Sequence, residues 1–244
     1  PPPPMTLLLT VLALVVLADL LLLVVLLPSV LIRLLLVPLC PEVIWCGPGR
    51  QKTLALTIDD GPSPGSEALL ALLRELEVPT TFFLIGSHLE RDPRFPRRAL
   101  QQGHDLGNHL WSDASAAAVP PAVFQQLLTD TERVIAWAAA PARLRWRWFR
   151  PGRGWFHRAM LEALAARRYR LVLGSIFPWD TLRPPLWFVR LFVHLNAHPG
   201  GILVLHDTPD LSGRTLDALR GLIPDLRRRG YRFVPLLELL DPAP

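Results

Sequence analysis

Leu54-Ala55-Leu56-Thr57-Ile58-Asp59-Asp60-Gly61-Pro62 reads as a buried strand that ends on two adjacent carboxylates and a Gly-Pro turn. Burying a charge without a partner costs several kcal/mol, so such acids are paired or bind a cation. The stretch therefore asks what positive species sits above the strand end. Successive strand residues point to opposite faces. The two carboxylates are thus expected to diverge and divide two jobs, one on a metal and the other as a base.

Outward from this stretch, apolar strand-like runs alternate with amphipathic helical runs. Strands are expected at 54–58, 80–85, 104–107, 145–150, 169–173, 201–205 and 231–235. Helices are expected at 66–76, 93–102, 121–138, 157–167, 186–195 and 215–229. Repeated βα alternation implies parallel strands joined by right-handed crossovers. Six or seven such units suit a closed or nearly closed α/β barrel. Asp59, Asp60, His109, Arg150, Asp180, His206 and Asp207 all fall at or just after strand ends, which converge on one face of such a barrel.

The N-terminus has another character. Residues 7–27 are almost wholly Leu, Val and Ala, near the ~20 that a membrane-spanning helix needs. Asp19 interrupts the run at a cost of roughly 2.5–3.5 kcal/mol. The surrounding Leu and Val, at about −0.3 to −0.6 kcal/mol each, offset it. A cleaved leader fits less well, because no basic segment precedes the run and no small-x-small site follows it. The expectation is a single-pass membrane anchor over 1–39, a linker over 40–52 and a catalytic domain over 53–240. Residues 30–39 either extend the helix past Pro28 or lie at the interface. Arg33, Arg50 and Lys52 follow the run and favour a cytoplasmic domain by the positive-inside rule, but so few charges leave the side open.

The formal net charge is +5, from 26 Lys+Arg against 21 Asp+Glu. No arginine cluster is interleaved with stacking aromatics, so nucleic acid is not an expected partner. The basic excess suits an acidic membrane surface. Cys40 and Cys46 are the only cysteines and lie in the linker, which excludes thiol chemistry from the domain and leaves the redox compartment open.

Three further stretches carry chemistry. In Gly107-Asn108-His109-Leu110-Trp111-Ser112-Asp113, a helical turn would place His109 and Asp113 on one side. A His with two carboxylates makes a reasonable three-ligand metal site with open positions. In Phe149-Arg150-Pro151-Gly152-Arg153-Gly154-Trp155, Arg150 can reach Asp59 with its bidentate fork. In Ile202-Leu203-Val204-Leu205-His206-Asp207, a strand delivers a His that can serve as general acid, with Asp180 and Asp207 as candidates to orient it. His88, His104, His157, His194 and His198 have no such company and read as structural or surface residues. Trp187, Phe188, Leu191 and Phe192 form an apolar helical stripe, read as core, with membrane docking as the minority reading.

Together these stretches resemble the polysaccharide deacetylase family, carbohydrate esterase family four, with its NodB-homology domain. Thr57-Ile58-Asp59-Asp60-Gly61-Pro62 looks like the family's T-F-D-D-G-P motif, and Leu205-His206-Asp207 like its L-x-H motif. His109 to Asp113 stands where the family has H-[ST]-x-x-H, and Arg150 to Trp155 resembles R-x-P-[YF]-G. The resemblance implies a distorted (β/α)7 barrel of the NodB type and hydrolysis of acetyl or similar acyl groups on N-acetylated sugars. It implies Asp59 as base, His206 as acid and Arg150 as the residue that positions Asp59. It implies a divalent metal (Zn, Mn, Co or Fe) on Asp60, His109 and Asp113. Trp155, Pro151, Asp180 and Asp207 would contact or organise the substrate. Asp113 replaces the family's third-ligand His, which makes the site harder and shifts preference away from zinc. The runner-up readings are a deacylase or deformylase of a lipid-linked sugar and a non-catalytic glycan-binding relative.

Overall fold

Strand β2 (Thr53–Asp59) shows how this sequence builds the molecule, a computed structural model of which describes residues 5–113, 115–140 and 147–241. Leu54, Leu56 and Ile58 face outward into a core shared with the surrounding helices, while Ala55 faces the barrel interior. Because side chains alternate along a strand, Thr57 and Asp59 continue the inward row. A strand buried on both faces needs helices on its outside, as parallel sheets do.

The remaining elements supply them. Helices α1 (Met5–Leu26) and α2 (Pro28–Leu39) precede strand β1 (Val43–Ile44). After β2 come α3 (Ser66–Glu75), β3 (Thr80–Leu84), α4 (Phe95–Gln101), β4 (Asp105–Asn108), α5 (Pro121–Ala139) and β5 (Trp148–Phe149). Then follow α6 (Arg158–Ala166), β6 (Arg170–Val172), α7 (Leu186–Asn196), β7 (Gly201–His206), α8 (Ser212–Arg228), β8 (Arg232–Phe233) and α9 (Leu236–Leu240). Every strand pairs in parallel, in the order β1-β6-β5-β4-β3-β2-β7, with β8 beside β2. Past β6 the chain turns at Gly174 (φ +92), where a Cβ would come within 2.8 Å of Val204. Ile176 then bridges to Leu203 of β7. The α/β barrel expected from the alternation is therefore present in distorted form, joined on this side by one bridge instead of a full ladder.

Two departures bear on function. The stretch expected as a linker contains β1, which pairs with β6, so part of it is built into the sheet. In α2, Pro28, Ser29 and Ile32 are buried, and Ile32 belongs to a core cluster with Val43, Trp45, Phe149 and Leu171. In packing terms α2 belongs with the barrel. The strand expected at 145–150 is described from Trp148, and Arg143 and Arg145 lie outside the described residues. Helix α1 has no buried residue over its 22 positions and is long and apolar enough to cross a membrane. Cys40 and Cys46 are free thiols.

Candidate active site

The inward rows of neighbouring strands end on the chemical residues. On β2 the row is Ala55, Thr57, Asp59; on β7 it is Ile202, Val204, His206. On β4 it is Asp105, Gly107 and then His109, and Gly107 leaves room for the Phe83 ring, which a Cβ would meet at 2.5 Å. On β5 Trp148 faces inward and Arg150 follows two residues later. These ends open into a cavity of about 700 Å³ whose lining includes Asp59, Asp60, His109, Asp113, Arg150 and His206. Pro151, Trp155 and Asp180 line it too, as do Trp45, Phe177 and Trp179.

Asp59 and Asp60 do not diverge as strand alternation predicts. The strand ends at Asp59, and Asp60 takes a left-handed backbone (φ 69), which turns its side chain back into the same cavity. Such a conformation is costly outside glycine and Asn/Asp. Leu110 (φ 65), Arg153 (φ 62) and Trp179 (φ 57) share it around the cavity. Backbone strain of this kind clusters where function fixes geometry.

Arg150 is 3 % exposed and meets Asp59 Oδ1 through Nη1 at 2.6 Å. The expected bidentate fork does not form. Nη1 also donates to Thr57 Oγ1 at 2.8 Å, Nε donates to the Val172 carbonyl at 2.9 Å, and the guanidinium lies 4.1 Å from the centre of the Phe83 ring. The fork is spread over three strands, which leaves Asp59 Oδ2 outside the pair.

His109 is fixed by its own Nδ1–H, which donates to the Arg150 carbonyl at 2.7 Å. Its Nε2 then faces Asp60 Oδ1 at 3.3 Å. That separation is long for a hydrogen bond. It equals the edge between two ligands bound tetrahedrally at about 2.0–2.1 Å, roughly 3.3 Å. Burial works against both charged forms. The contact with His109, and the charges of His109, His206 and His88, nonetheless hold Asp60 below the ordinary carboxylate range. Asp59 and Asp60 in turn raise His109. The cluster thus favours an added positive charge, a proton or a cation, between Asp60 and His109. This donor pair fits a divalent metal.

Asp113 does not complete a three-ligand group, and no such group of three forms among the described residues. His109 and Asp113 do not share a helical turn. Leu110 kinks left-handed immediately after His109, its N–H donating to Asn108 Oδ1 at 2.8 Å. The Leu110 and Trp111 carbonyls accept from Gly86 and Ser87, and beyond them the chain bends outward. Asp113 is exposed, lines the cavity edge and makes no side-chain hydrogen bond or ion pair among the described residues.

The His206 ring is held by Asp180, its one side-chain hydrogen-bond partner among the described residues. The His206 backbone N–H donates to Asp180 Oδ2 at 2.9 Å, and its Nδ1–H to Oδ1 at 2.9 Å. Burial lowers the ring's proton affinity, but the Asp180 hydrogen bond and the charges of Asp180, Asp59 and Asp60 outweigh it, pushing the pKa up to about 9. Asp207, expected as an alternative orienter, turns away. It is wholly buried, accepts from Ser63 Oγ at 2.6 Å and from Ser66 Oγ, and so fixes the loop after Pro62. Sequence reasoning also missed Trp45, which lines the cavity from the stretch expected as a linker. It missed His88, whose Nδ1–H donates to the Asp60 carbonyl at 2.7 Å, and Asn108, which pins the turn after His109. None of the three carries a spacing signal in the sequence.

Comparison with known proteins bears on the whole of this domain. Residues 47–172 match the family model described as polysaccharide deacetylase. A peptidoglycan-N-acetylglucosamine deacetylase of Bacillus cereus is 32% identical over 202 residues, covering 81% of this chain and 92% of its own. A chitooligosaccharide deacetylase of a Bradyrhizobium species is 32% identical over 200 residues, covering 77% of this chain and 90% of its own. The crystal structure of the Bc1960 peptidoglycan N-acetylglucosamine deacetylase, solved with an N-hydroxybenzamide ligand, superposes with a TM-score of 0.77 at 27% identity. It covers 83% of this chain and 94% of that one.

Proposed function

Since this chain belongs to the polysaccharide deacetylase family, we propose that Asp59 and His206 are the base and acid with which it removes N-acetyl groups from glycans built of N-acetylated sugars. The chain is a hydrolase of carbohydrate carbon–nitrogen bonds. One observation carries the assignment. Asp59 and His206 are register partners on the adjacent strands β2 and β7, and each is oriented by its own partner, the buried Arg150 or the partly buried Asp180.

The chemistry follows from those contacts. Arg150 occupies Asp59 Oδ1, so Oδ2 accepts the proton of a water that attacks the acetamide carbonyl. The C–N bond then breaks as His206 Nε2–H gives its proton to the departing amine, releasing acetate. Asp180 keeps that proton in place near neutral pH by the hydrogen bond to Nδ1. Asp60 and His109 would hold the divalent cation, which when bound polarises the carbonyl and supplies charge for the developing oxyanion. Asp113 stands exposed at the cavity edge, and no buried contact brings it to that pair as a third donor. The aromatic walls of Trp45, Trp155 and Trp179 suit the apolar face of a pyranose ring.

The test is acetate release by the full chain from N-acetylated chitooligosaccharide and from peptidoglycan, screened across Zn, Mn, Co and Fe after chelation. Activity restored by one or more of these metals and absent in Asp59→Asn supports the assignment. Release that persists in Asp59→Asn or in thorough chelator rules it out.

A further inference from the structure

We propose that the apolar face beside the cavity mouth is a docking surface for the lipid bilayer, so that the site serves saccharides carried on a membrane lipid. This deepens the deacetylase reading and rests on it, and it takes α1 as a retained membrane span.

The first observation is a clasp. Asn196, at the end of α7, is 1 % exposed. Its Nδ2–H donates to the carbonyls of Leu26 at 2.8 Å and Phe192 at 2.9 Å. Its Oδ1 accepts from the Ser29 N–H at 3.2 Å and the Ser29 Oγ–H at 2.8 Å. The end of α1 is therefore locked into the buried hydrogen bonds of the barrel. Removing the N-terminal helix would leave a buried amide short of partners, at a desolvation cost.

The second observation joins this helix to the cavity. The Trp179 indole N–H donates to the Val25 carbonyl, in the last turn of α1, at 3.3 Å. The same side chain lines the cavity and meets Phe177 edge-on at 5.4 Å. A wall of the site thus touches the point where the apolar helix leaves the domain.

The third observation is what surrounds that point. Helix α7 buries Val189, Phe192 and Val193 and presents Trp187, Leu191 and Leu195 outward at fourth-residue spacing. Trp187 is 65 % exposed and Leu182, in the turn before α7, is 76 % exposed. A helix with one apolar face buried and a second apolar stripe exposed is poorly matched to water. It matches the headgroup boundary, where tryptophan is enriched and amphipathic helices lie. Because α1 is unburied along its length and Leu26 is held by Asn196, the bilayer boundary falls beside the C-terminal end of α7. The apolar stripe lies on the helix whose last residue holds the end of α1, and a phospholipid surface is the occupant that suits both.

The experiment uses the full chain in phosphatidylcholine–phosphatidylglycerol vesicles. One N-acetylated saccharide is offered as a glycolipid in the vesicle and as the free oligosaccharide. The expected result is acetate release roughly tenfold or more faster from the glycolipid, from the high local concentration at the surface. Trp187→Glu with Leu191→Glu should remove that advantage and leave the free-substrate rate unchanged, which also reports correct folding. Spin-labelled lipids should quench tryptophan fluorescence less in Trp187→Phe than in the parent chain. Equal rates on the two substrates, or a glycolipid rate untouched by the double variant, overturn the proposal. If neither substrate is hydrolysed, the deacetylase reading fails, and the quenching still decides the docking surface: equal quenching in Trp187→Phe and parent overturns it.

Discussion

The ends of β2 and β4 flank β3 and carry acids with opposite surroundings. At β2, Asp59 is 3 % exposed and its partner Arg150 reaches Thr57, Val172 and the Phe83 ring as well. At β4, the chain is pinned only as far as Trp111, and Asp113 sits exposed at the cavity edge. Both ends present acids to one cavity, yet the two at β2 are placed by buried contacts and Asp113 at β4 is not. The difference teaches that ligand-type residues at plausible spacing do not make a site. A site needs backbone that is held up to the residue in question, and here that holding stops two residues short of Asp113.

The widest gap between the two strand ends should appear in catalysis. Asp59→Asn is expected to lower kcat by about 10²–10⁴-fold, the usual worth of a general base, measured on protein shown to be folded. A loss below tenfold would move the base elsewhere. Next comes stability. Arg150→Met leaves Asp59 buried without its cation and should cost about 3–5 kcal/mol in denaturant unfolding. A neutral result would show that water reaches Asp59.

The pH profile probes the third strand end, β7. His206 must be protonated to act as acid, and its pKa is raised to about 9. Rates should therefore hold through neutral pH and fall as pH rises through that value. Asp180→Ala removes the hydrogen bond and the charge, so the alkaline limb should move down towards the ordinary imidazole value. A limb that stays in place would assign it to another group. The smallest effect is expected at β4. Asp113→Ala should weaken metal binding by less than about tenfold in a calorimetric titration, because nothing positions that carboxylate, while Asp60→Ala should cost far more. Loss of binding in Asp113→Ala as severe as in Asp60→Ala would break the comparison outright.

Much of the fold was legible because its period is simple. The alternation of two-sided apolar strands with amphipathic helices placed all the later strands and the helices between them, within a residue or two for most. What escaped was β1, whose two residues carry no period of their own and are a strand only because β6 offers an edge. The same limit applied to side chains. Alternation located Asp59 and His206 as strand-end residues, but it sent Asp60 the wrong way, since a left-handed residue after a strand breaks the period. A local spacing rule put His109 and Asp113 on one helical turn, and Asn108 and residues 86–87 instead hold that segment in a kinked, non-helical form.

The adjacency of His206 and Asp207 in sequence likewise misled, because neighbours in a strand face opposite sides. Asp207 went to the serines at the start of α3, and Asp180, twenty-six residues away, took the imidazole. The sequence by itself determined the family, the parallel α/β architecture, the apolar N-terminal helix and the strand ends that carry the chemistry, since these depend on composition and period. Only the tertiary structure decided between Asp180 and Asp207 for His206 and kept Asp113 away from His109, because those pairs are set by where loops close and which backbone groups remain to hold them. It also decided that a wall of the cavity leans on the end of the apolar helix, through a contact between residues 154 positions apart that no local pattern could announce.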